Sequence, residues 1–447
     1  MFDTIAAISS GVINQPISII RLSGSNAFDI IKQIFSNKVG KHREIVLGYI
    51  FKEKQIIDEV LVTSFVGPDS FTGEDMIEVY AHGGVVNTNR ILQLLLSHGA
   101  RQANRGEFSL RAVLNQKMDL IKAEAIHDLI FASTEEQANL SIKKFDGQTS
   151  RLINTLKTNL LKLIATCEVN IDYPEYDDIE TLTNENLKPR ITTMIKELEK
   201  IIESSKSSRF IFEGLKIAIV GEPNSGKSSL LNALLNEEKA IVSSKSGTTR
   251  DVVEGKIQIG QVLINLKDTA GIHLTDDEIE KQGIKKAFHE IDQADLIIHL
   301  IDGKKYEDKH AKISIIKIDN LIKQKIKHQI YLQVINKVDL VNNRDNNHIY
   351  VSAKNNDINH LKTTLMEIFP KINLNNEYMI NNVRQLALID ETKIHLQNAY
   401  EGLKKGYTPD TIIVDLQAGW TSLANILGKA NNETLLDEMF HSFCLGK

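Results

Sequence analysis

The sequence predicts three domains of different class: a small α+β domain, an all-helical domain, and an α/β domain that interrupts the helical one. Three observations support this fold class. Short alternating apolar runs occur near the N-terminus, and apolar residues recur at helical spacing in two separate regions. Between those two regions, short continuous apolar runs alternate with helical patterns, which is typical of a parallel sheet. The fold class is therefore multidomain α/β.

Length, composition and charge agree with three globular domains. The chain has 447 residues, which at roughly 150 residues per domain corresponds to about three domains. Hydrophobic residues make up 42% and charged residues 25%, as in ordinary globular proteins. The formal net charge is −5, so binding to a nucleic-acid backbone requires a local basic patch.

The two cysteines, Cys167 and Cys444, are far apart in a long chain. This is not a disulfide framework, and it favours a reducing compartment. The N-terminal segment lacks the basic and apolar regions of a signal peptide. No apolar run approaches the ~18 residues that a membrane span needs. The sequence therefore predicts a cytoplasmic protein that is not embedded in a membrane.

The N-terminal α+β domain is expected at residues 1–117. VLVTSFV (60–66) and MIEVYA (76–81) are typical of strands. Residues 67–69 indicate a turn between them. NRILQLLLSHGA (89–100) predicts a helix that ends at Gly99.

Helical periodicity characterises residues 118–210 and returns at 377–447, whereas residues 214–371 alternate between strand and helix patterns. ADLIIHLID (294–302) and QIYLQVIN (329–336) predict strands that are buried on both faces. Because the composition is similar on both sides of the α/β region, we predict that it is inserted into one helical domain. The alternative is three domains in a row.

GEPNSGKS (221–228) follows the apolar run LKIAIV (215–220) and matches the phosphate-binding motif G-x-x-x-x-G-K-[ST]. In this motif backbone N–H groups surround the phosphates, Lys227 reaches the β/γ oxygens, and the Ser228 hydroxyl ligates Mg²⁺. A chance match in this chain has odds on the order of one in a hundred. The predicted nucleotide-binding residues here are Asn224, Ser225, Gly226, Lys227, Ser228 and Ser229.

Three later segments follow in the order found in a Ras-like P-loop G domain. In DTAG (268–271) Asp268 can hold Mg²⁺ through water and the Gly271 N–H can sense the γ-phosphate. In NKVD (336–339) the Asp339 carboxylate can accept hydrogen bonds from the guanine N1–H and 2-amino groups, which adenine lacks. SAK (352–354) is expected behind the base, so GTP/GDP is predicted rather than ATP. The predicted contacts are Asp268, Thr269, Ala270, Gly271, Asn336, Lys337, Asp339, Ser352, Ala353 and Lys354.

SSKSGTTRD (243–251) lies between the phosphate-binding motif and Asp268. Thr249 is predicted to close on Mg²⁺ when GTP is bound, with Thr248 as the alternative. The segment also has the composition of a flexible polar loop, which is compatible with that role. After DTAG stands Ile272, where the Ras pattern has the Gln that orients the attacking water. Another group must therefore position that water.

Together, GEPNSGKSSLLN, GTTRD, DTAGI and NKVD resemble the translation-factor-like GTPases in which a hydrophobic residue replaces the catalytic Gln. The flanking segments are similar to the MnmE (TrmE) family of tRNA modification GTPases, and the match spans essentially the whole chain in order. These segments are DTIAA (3–7), IRLSG (20–24), SFTGED (70–75), HGG (82–84), GEFSLRAVLN (106–115), KMDLIKAEA (117–125) and the tail FCLGK (443–447).

The resemblance implies a GTPase that works with MnmG, an FAD-dependent protein. Together they would build the 5-carboxymethylaminomethyl (or aminomethyl) group on the wobble uridine of certain tRNAs. It further implies that the N-terminal domain binds folate and forms a homodimer, and that the G domain is inserted into the helical domain.

The resemblance also implies how the water is activated. In that family the G domains dimerise across the nucleotide and a K⁺ ion lies against the phosphates, where a cation offsets transition-state charge. The positions matching its K⁺ ligands are Asn224, Ser243, Lys245 and Thr248. The whole matching loop, expected near the nucleotide, is Ser243, Ser244, Lys245, Ser246, Gly247, Thr248 and Thr249. From the residues alone, DDEIE (276–280) is more typical of the solvated first turn of a helix; the resemblance favours Glu280, which matches the water-orienting acid.

Four further positions match residues of that family that contact a tetrahydrofolate derivative, either 5-formyl- or 5,10-methylene-tetrahydrofolate. They are Arg21, Glu78, Lys117 and Lys447; without the resemblance we would interpret them as surface charges. Cys444 matches a cysteine near the folate, where a thiol could act as nucleophile or acid. The alternative is a small buried hydrophobic residue.

The main alternative function is an RNA-binding GTPase of ribosome assembly that performs no modification. Such proteins share the G-domain motifs. The N-terminal segments and the FCLGK tail argue against it, as does the lack of an evident GxxG segment of KH type after the G domain.

Overall fold

The computed structural model describes residues 3–172, 184–206, 209–235, 240–241, 254–259, 262–268, 288–308, 310–341, 344–345, 348–368, 376, 378–428, 440, 443 and 446. The chain forms two compact units. The first comprises Met1–Phe131, Ser141–Leu198 and Ala387–Lys447, and the second comprises Ala132–Leu140 and Glu199–Leu386. Of the helices described, none has both the length and the apolar character to cross a membrane.

The N-terminal part of the first unit contains a six-stranded sheet in the order β3-β4-β5-β2-β1-β6. Neighbouring strands are antiparallel except β1 and β6, which are parallel. The predicted strands at 60–66 and 76–81 correspond to β4 and β5. The bounds are β1 Ile5–Ile8, β2 Ile17–Ser23, β3 Ile45–Lys52, β4 Gln55–Phe65, β5 Met76–His82 and β6 Arg101–Gln102.

One face of this sheet is covered throughout, whereas the other is covered near β1, where Ile5 and Ala7 pack with Phe108, and is open along β3 and β4. Helices Ala27–Ile34 and Val85–Ser97 pack on the covered face and form a hydrophobic core with inward side chains such as Ile20, Val62 and Val79. The second helix ends two residues before the predicted stop at Gly99, which has a positive φ of 106°. On the other face the apolar side chains of Ile45, Leu47 and Leu61 are exposed. Alternation along a strand explains why the two faces differ.

The remainder of the first unit is helical. Helices Glu107–Leu114, Leu120–Ile130, Gln148–Asp172 and Pro409–Ile426 lie entirely within it. Helices Glu135–Phe145, Asn184–Lys206 and Val383–Lys404 each have residues in both units.

Gly419 marks the point where three of these helices meet. A Cβ added at Gly419 would lie 3.6 Å from Thr392 Cγ2 and 3.7 Å from Leu160 Cδ2. Residues that precede the α/β domain in sequence therefore pack against residues that follow it. The domain limits drawn from the sequence stay predictions.

The second unit is built around a seven-stranded sheet in the order β13-β12-β11-β7-β10-β9-β8. The sheet is parallel except at β8 and β9, which are antiparallel to their neighbours. The strands are β7 Leu215–Val220, β8 Ala240–Ile241, β9 Glu254–Ile259, β10 Val262–Asp268, β11 Leu296–Asp302, β12 Ile330–Asn336 and β13 Ile349–Tyr350. The helices are Arg209–Phe212, Lys227–Leu235, Gly303–Glu307, Ala311–Lys325 and Asn359–Ile368.

Apolar clusters cover both faces of this sheet. The predicted burial of β11 on both faces is confirmed, since its first six residues are buried. For β12 the prediction is wrong over the first half, because only Val334, Ile335 and Asn336 are buried. Its neighbour β13 is only two residues long and pairs only with Val334 and Ile335, so the rest of β12 lies at the sheet edge.

Candidate nucleotide-binding site

The phosphate-binding motif lies in the loop between β7 and helix Lys227–Leu235, as the sequence predicts. Gly226 has φ of 95°, and a Cβ there would lie 2.2 Å from Asn336 Nδ2. A Cβ at Gly221 would lie 2.3 Å from the Leu300 carbonyl oxygen. Both positions therefore require glycine: Gly226 because of its backbone conformation and the close contact, and Gly221 because of the close contact alone. Asn224 has the left-handed φ of 64°, which Asn tolerates better than most residues.

Lys227 begins the helix and is buried. Its Nζ donates to the carbonyl oxygens of Gly221 at 3.3 Å and Glu222 at 3.1 Å. The ammonium group is thus held over the loop whose backbone would surround a phosphate. Ser228 and Ser229 follow in the first helical turn with exposed side chains.

Asn336 connects the loop to the two elements predicted to recognise the base. Its Nδ2 donates to the Ser225 carbonyl at 2.8 Å, and its Oδ1 accepts from the Ala353 N–H at 3.1 Å. Asn336 is 2% exposed, so these bonds form away from competing water and each is costly to lose. The phosphate loop and the SAK segment are therefore held by one side chain.

Lys337 and Asp339 complete this group. Lys337 has a left-handed φ of 61°, and its Nζ donates to the Asn224 carbonyl at 2.8 Å and to Asp302 Oδ2 at 2.7 Å. The Ser352 hydroxyl donates to Asp339 Oδ1 at 2.9 Å. That bond orients the carboxylate against the SAK segment. Lys354 lies in the short turn that follows.

Several predicted residues lie outside the part of the chain that the structure describes. For Asp268 only the backbone is described: it ends β10 and pairs in parallel with Ile219 of β7, which places it beside the start of the phosphate loop. The predicted residues outside the described ranges are Ser243, Ser244, Lys245, Ser246, Gly247, Thr248, Thr249, Thr269, Ala270, Gly271, Glu280, Cys444 and Lys447.

A buried polar network, which the sequence analysis missed, lies beside the end of β7. His299 Nδ1 is 2.8 Å from the Tyr331 hydroxyl, which donates to Asp319. Gln333 and Lys323 also bind Asp319, at 2.6 and 2.8 Å. Burial lowers the pKa of His299 to about 4, against the opposing charge of Asp319, so the imidazole is neutral near pH 7. A lone His in an apolar run carries no signal that would reveal this network.

The structure also brings together two of the residues predicted at the second site, in the first unit. Arg21 and Glu78 face each other in the β2–β5 register. Arg21 donates to Glu78 Oε1 from Nε at 2.9 Å and from Nη2 at 2.7 Å. The Tyr80 hydroxyl donates to Glu78 Oε2 at 2.7 Å, and burial followed by this bond raises the pKa of Tyr80 to about 12. Arg21 also lies over the ring of Phe71, 5.3 Å from its centroid.

Gly446, near the C-terminus, lies at the same place. Its carbonyl accepts from Ser9 Oγ at 3.0 Å and from Arg21 Nη1 at 3.4 Å. A Cβ at Gly446, where φ is 85°, would lie 2.3 Å from the Ile8 carbonyl oxygen. Lys117 lies on an adjoining segment, where its Cγ would be 3.1 Å from a Cβ at Gly73. The contact of Ser9 with Gly446 was not expected from the sequence.

The loop and helix around this pair are held by a buried arginine. Arg111 is 2% exposed and binds Asp3, Glu74 and Glu107 at 2.9 to 3.1 Å. These acids come from three separate segments, so Arg111 joins the SFTGED loop to the GEFSLRAVLN helix. The sequence analysis assigned Arg111 no role, and the structure shows that it supports the site.

Comparison with known proteins agrees with these features. Residues 120–444 match the family model described as the MnmE helical domain, and residues 4–117 match that of the GTP-binding protein TrmE N-terminus. The chain is similar to a tRNA modification GTPase MnmE of Mycoplasma mobile, with 50% identity covering 100% of both chains. It is also similar to that of Ureaplasma parvum, with 42% identity covering 99% of this chain and 100% of the other.

One solved structure adds little to this comparison. Era of Aquifex aeolicus bound to GDP·AlF4⁻ is 28% identical over 40% of this chain and 65% of that chain. The TM-score is 0.28.

Proposed function

The chain belongs to the MnmE family of tRNA modification GTPases, and from this membership we propose that it hydrolyses GTP in the modification of tRNA. The observation that supports the GTPase activity most directly is the junction at Asn336. This side chain bonds to Ser225 in the phosphate loop and to Ala353 in the predicted base-binding segment. A nucleotide with both a guanine and a phosphate chain would contact both parts.

The residues described around the loop fit GTP with Mg²⁺. The Lys227 ammonium is directed at the loop carbonyls and would offset charge on the β- and γ-phosphates. Asp339, held by Ser352, would accept hydrogen bonds from guanine. Ser228, Thr249 and Asp268 would hold Mg²⁺, which supplies charge neutralisation when bound.

We further propose that K⁺ activates hydrolysis and that Glu280 orients the attacking water. Asn224, Ser243, Lys245 and Thr248 would supply the K⁺ ligands. The described part of this set is Asn224, whose carbonyl is fixed by Lys337 and whose exposed amide can turn toward a cation. Glu280 would replace the Gln that this chain lacks.

For the modification itself, we propose that the chain works with MnmG, an FAD protein, on the wobble uridine of certain tRNAs. The product would be a 5-carboxymethylaminomethyl or aminomethyl uridine, made in the cytoplasm. The one-carbon unit would come from a tetrahydrofolate derivative bound near Arg21 and Glu78, with Lys117, Cys444 and Lys447 close by. Glu78 can accept hydrogen bonds from a pterin, and cations suit the glutamate of folate.

We propose that the N-terminal domain forms a homodimer through the open face of its sheet. Ile45, Leu47 and Leu61 are 64%, 55% and 42% exposed, and β3–β4 pairing places Leu47 opposite Leu61. Exposed apolar side chains that adjoin on one sheet face are typical of an interface.

The test of the proposed modification is mass spectrometry of nucleosides in total tRNA from cells with and without the gene. We expect the modified wobble uridine to disappear and to return only with an active copy. Unchanged tRNA together with altered ribosome profiles would replace this function by ribosome assembly.

The test of the proposed water-orienting acid is Glu280→Ala, with Glu278→Ala as the matched control in the same acidic run. We expect Glu280→Ala to bind GTP like the wild type and to lose most of its hydrolysis in K⁺ buffer. Full turnover in Glu280→Ala, or an equal loss in the control, would remove Glu280 from this role.

A further inference from the structure

A short loop at the edge of the N-terminal sheet carries several exposed cations. We refer to residues Lys38–Glu44 as the basic loop. Its sequence, KVGKHRE, contains Lys38, Lys41, His42 and Arg43 with a single acid. Both lysines and Arg43 are exposed. The chain as a whole has a net charge of −5, so an anion is attracted only by a local group of cations such as this one.

The basic loop is held in one conformation by hydrogen bonds to Ser64. Ser64 Oγ, on β4, donates to the Gly40 and Lys41 carbonyls at 2.9 and 2.6 Å. The Arg43 N–H donates to the Ser64 carbonyl at 2.7 Å. The chain is thus fixed where Arg43 adopts a left-handed φ of 62°. Cations on a fixed loop lose less conformational entropy on binding than cations on a free one.

His42 contributes a hydrogen-bond donor to the same surface. Its Nδ1 lies 3.0 Å from the Val66 N–H and accepts a hydrogen bond from it. A neutral imidazole that accepts at Nδ1 carries its proton at Nε2. The side chain is only partly buried, so Nε2–H can donate to an anion.

Hydrogen bonds also fix the two residues that precede the basic loop. Asn37 Nδ2 donates to the Leu47 carbonyl at 2.6 Å, and the Tyr49 N–H donates to Ser36 Oγ at 2.8 Å. These bonds join the residues before the loop to β3, the edge strand. The whole loop is therefore clamped between β3 and β4.

Strand register places the basic loop in line with the second candidate site. Ile45, which follows the loop, pairs with Thr63; Thr63 pairs with Glu78. Glu78 in turn pairs with Arg21. Three strand spacings of about 4.8 Å separate Ile45 from Arg21, or roughly 14 Å. Strands β4 and β5 therefore lie between the strand that follows the basic loop and the strand that carries Arg21.

We propose that the basic loop binds the phosphate backbone of tRNA at the edge of the sheet, outside the β3–β4 face assigned to the homodimer. This inference rests on the proposed function, because it takes tRNA as the substrate. Lys38, Lys41 and Arg43 contact phosphates, and the His42 Nε2–H adds a hydrogen bond. The contacts position the RNA and carry no sequence information.

Charge favours RNA over an acidic protein as the occupant. A protein interface selects few lysines, whereas phosphate binding uses Lys and Arg directly. The chain as a whole repels a polyanion, so attraction must come from a local cluster. The basic loop supplies three full charges within six residues.

The test uses the full-length protein and an unmodified tRNA transcript, with affinity measured by fluorescence anisotropy over roughly 50 to 300 mM KCl. The variant replaces Lys38, Lys41 and Arg43 with Gln. We expect the slope of log affinity against log salt to fall by about 2 to 3, and affinity near 0.1 M salt to fall on the order of 10²-fold. GTP hydrolysis should be unchanged.

Two controls make the result specific. Replacing Lys162, Lys196 and Lys317 with Gln removes the same charge from scattered exposed positions and should change the slope by less than about 1. Replacing Lys38 and Lys41 with Arg should retain affinity, because the charges remain. Equal losses in the clustered and scattered variants would show a net-charge effect and overturn the proposal.

Measuring tRNA binding by both the wild type and the clustered variant separates the role of the basic loop from the choice of tRNA as substrate. If the wild type binds tRNA and the clustered variant binds it equally well, the basic loop does not hold RNA and serves another partner, such as an acidic protein. If the wild type hydrolyses GTP but binds no tRNA, the substrate assigned under the proposed function is wrong, and this inference falls with it.

Discussion

Gly226 offers a quantitative test of the junction between the phosphate loop and the base-binding segments. In Gly226→Ala, the new Cβ would lie 2.2 Å from Asn336 Nδ2 at a φ of 95°. No L-residue fits there unless Asn336 moves. We therefore expect one added methyl group to weaken nucleotide binding through a side chain that is distant in sequence.

The magnitude follows from two contributions. The left-handed backbone costs a residue with a Cβ about 1–2 kcal/mol. Displacing Asn336 breaks its bonds to Ser225 and Ala353, each with a net value of about 1 kcal/mol. The sum is about 3–4 kcal/mol. A free phosphate loop can relax away from the collision, whereas a bound nucleotide requires the native loop, so this cost appears in the affinity, which at about 1.4 kcal/mol per factor of ten falls on the order of 10²- to 10³-fold.

The assay is the affinity for a fluorescent GDP analogue, measured by titration. Gly406→Ala is the matched control, because Gly406 has φ of 83° with nothing within 4 Å of a Cβ. It carries the backbone strain without the collision, and it lies outside the nucleotide loop. We expect its GDP affinity to remain within about twofold of the wild type, since strain of about 1–2 kcal/mol there affects folding rather than binding.

A double-mutant cycle isolates the collision. Asn336→Ala alone loses both hydrogen bonds, about 2 kcal/mol in all. In the double variant the amide nitrogen that the added methyl group would strike is gone, so Gly226→Ala should add only its backbone strain. We expect a coupling of about 2 kcal/mol. Two outcomes would refute this account of the junction: the losses of affinity in Gly226→Ala and Asn336→Ala add strictly in the double variant, or Gly226→Ala alone stays within about threefold of wild-type affinity.

Three further outcomes are expected. Burial lowers the pKa of His299 to about 4 from about 6.5 in the unfolded chain. The free energy of unfolding should therefore be unaffected by this group above about pH 6.5 and fall by about 3 kcal/mol as the pH drops toward about 4. His299→Gln should flatten this part of the plot of melting temperature against pH, and an unchanged slope would contradict the role of His299. Arg21→Gln leaves the Glu78 carboxylate buried without its cation, and we expect the free energy of opening of β2 and β5, measured by hydrogen exchange, to fall by about 3 kcal/mol. Adding Glu78→Gln should recover part of that loss, and a doubled loss would contradict the pairing. Burial raises the pKa of Cys167 to about 11, so Cys167→Ser should not change the number of fast-reacting thiols in the native protein, and the loss of one would show that Cys167 is accessible.

The sequence predicted those features that depend on local pattern. The phosphate loop, the order of the G-domain motifs and the helical regions each follow from residue spacing within one segment. The strands of the N-terminal sheet at 60–66 and 76–81 are also confirmed. The fold class is confirmed as well, since the family models cover the N-terminal and helical regions.

Contacts between segments that are distant along the chain could not be predicted from the sequence. Nothing in NKVD indicates that the Asn336 amide reaches Ser225, because that contact depends on how β12 and β7 lie in the sheet. The partial burial of β12 depends on the shortness of β13. Arg21 and Glu78 were named through resemblance, yet their direct pairing follows only from the β2–β5 register.

The contact between Arg21 and the Gly446 carbonyl has a consequence for biosynthesis. The two residues are 425 positions apart, with the G domain made between them. At about 5–20 residues per second, the carbonyl emerges roughly 20–85 s after Arg21. During this interval the N-terminal sheet can fold, and the G domain can bind nucleotide, while the pocket at Arg21 still lacks its last wall. A chain that ends in the helical region would therefore retain the nucleotide-binding motifs but lack the Gly446 contact at the N-terminal site.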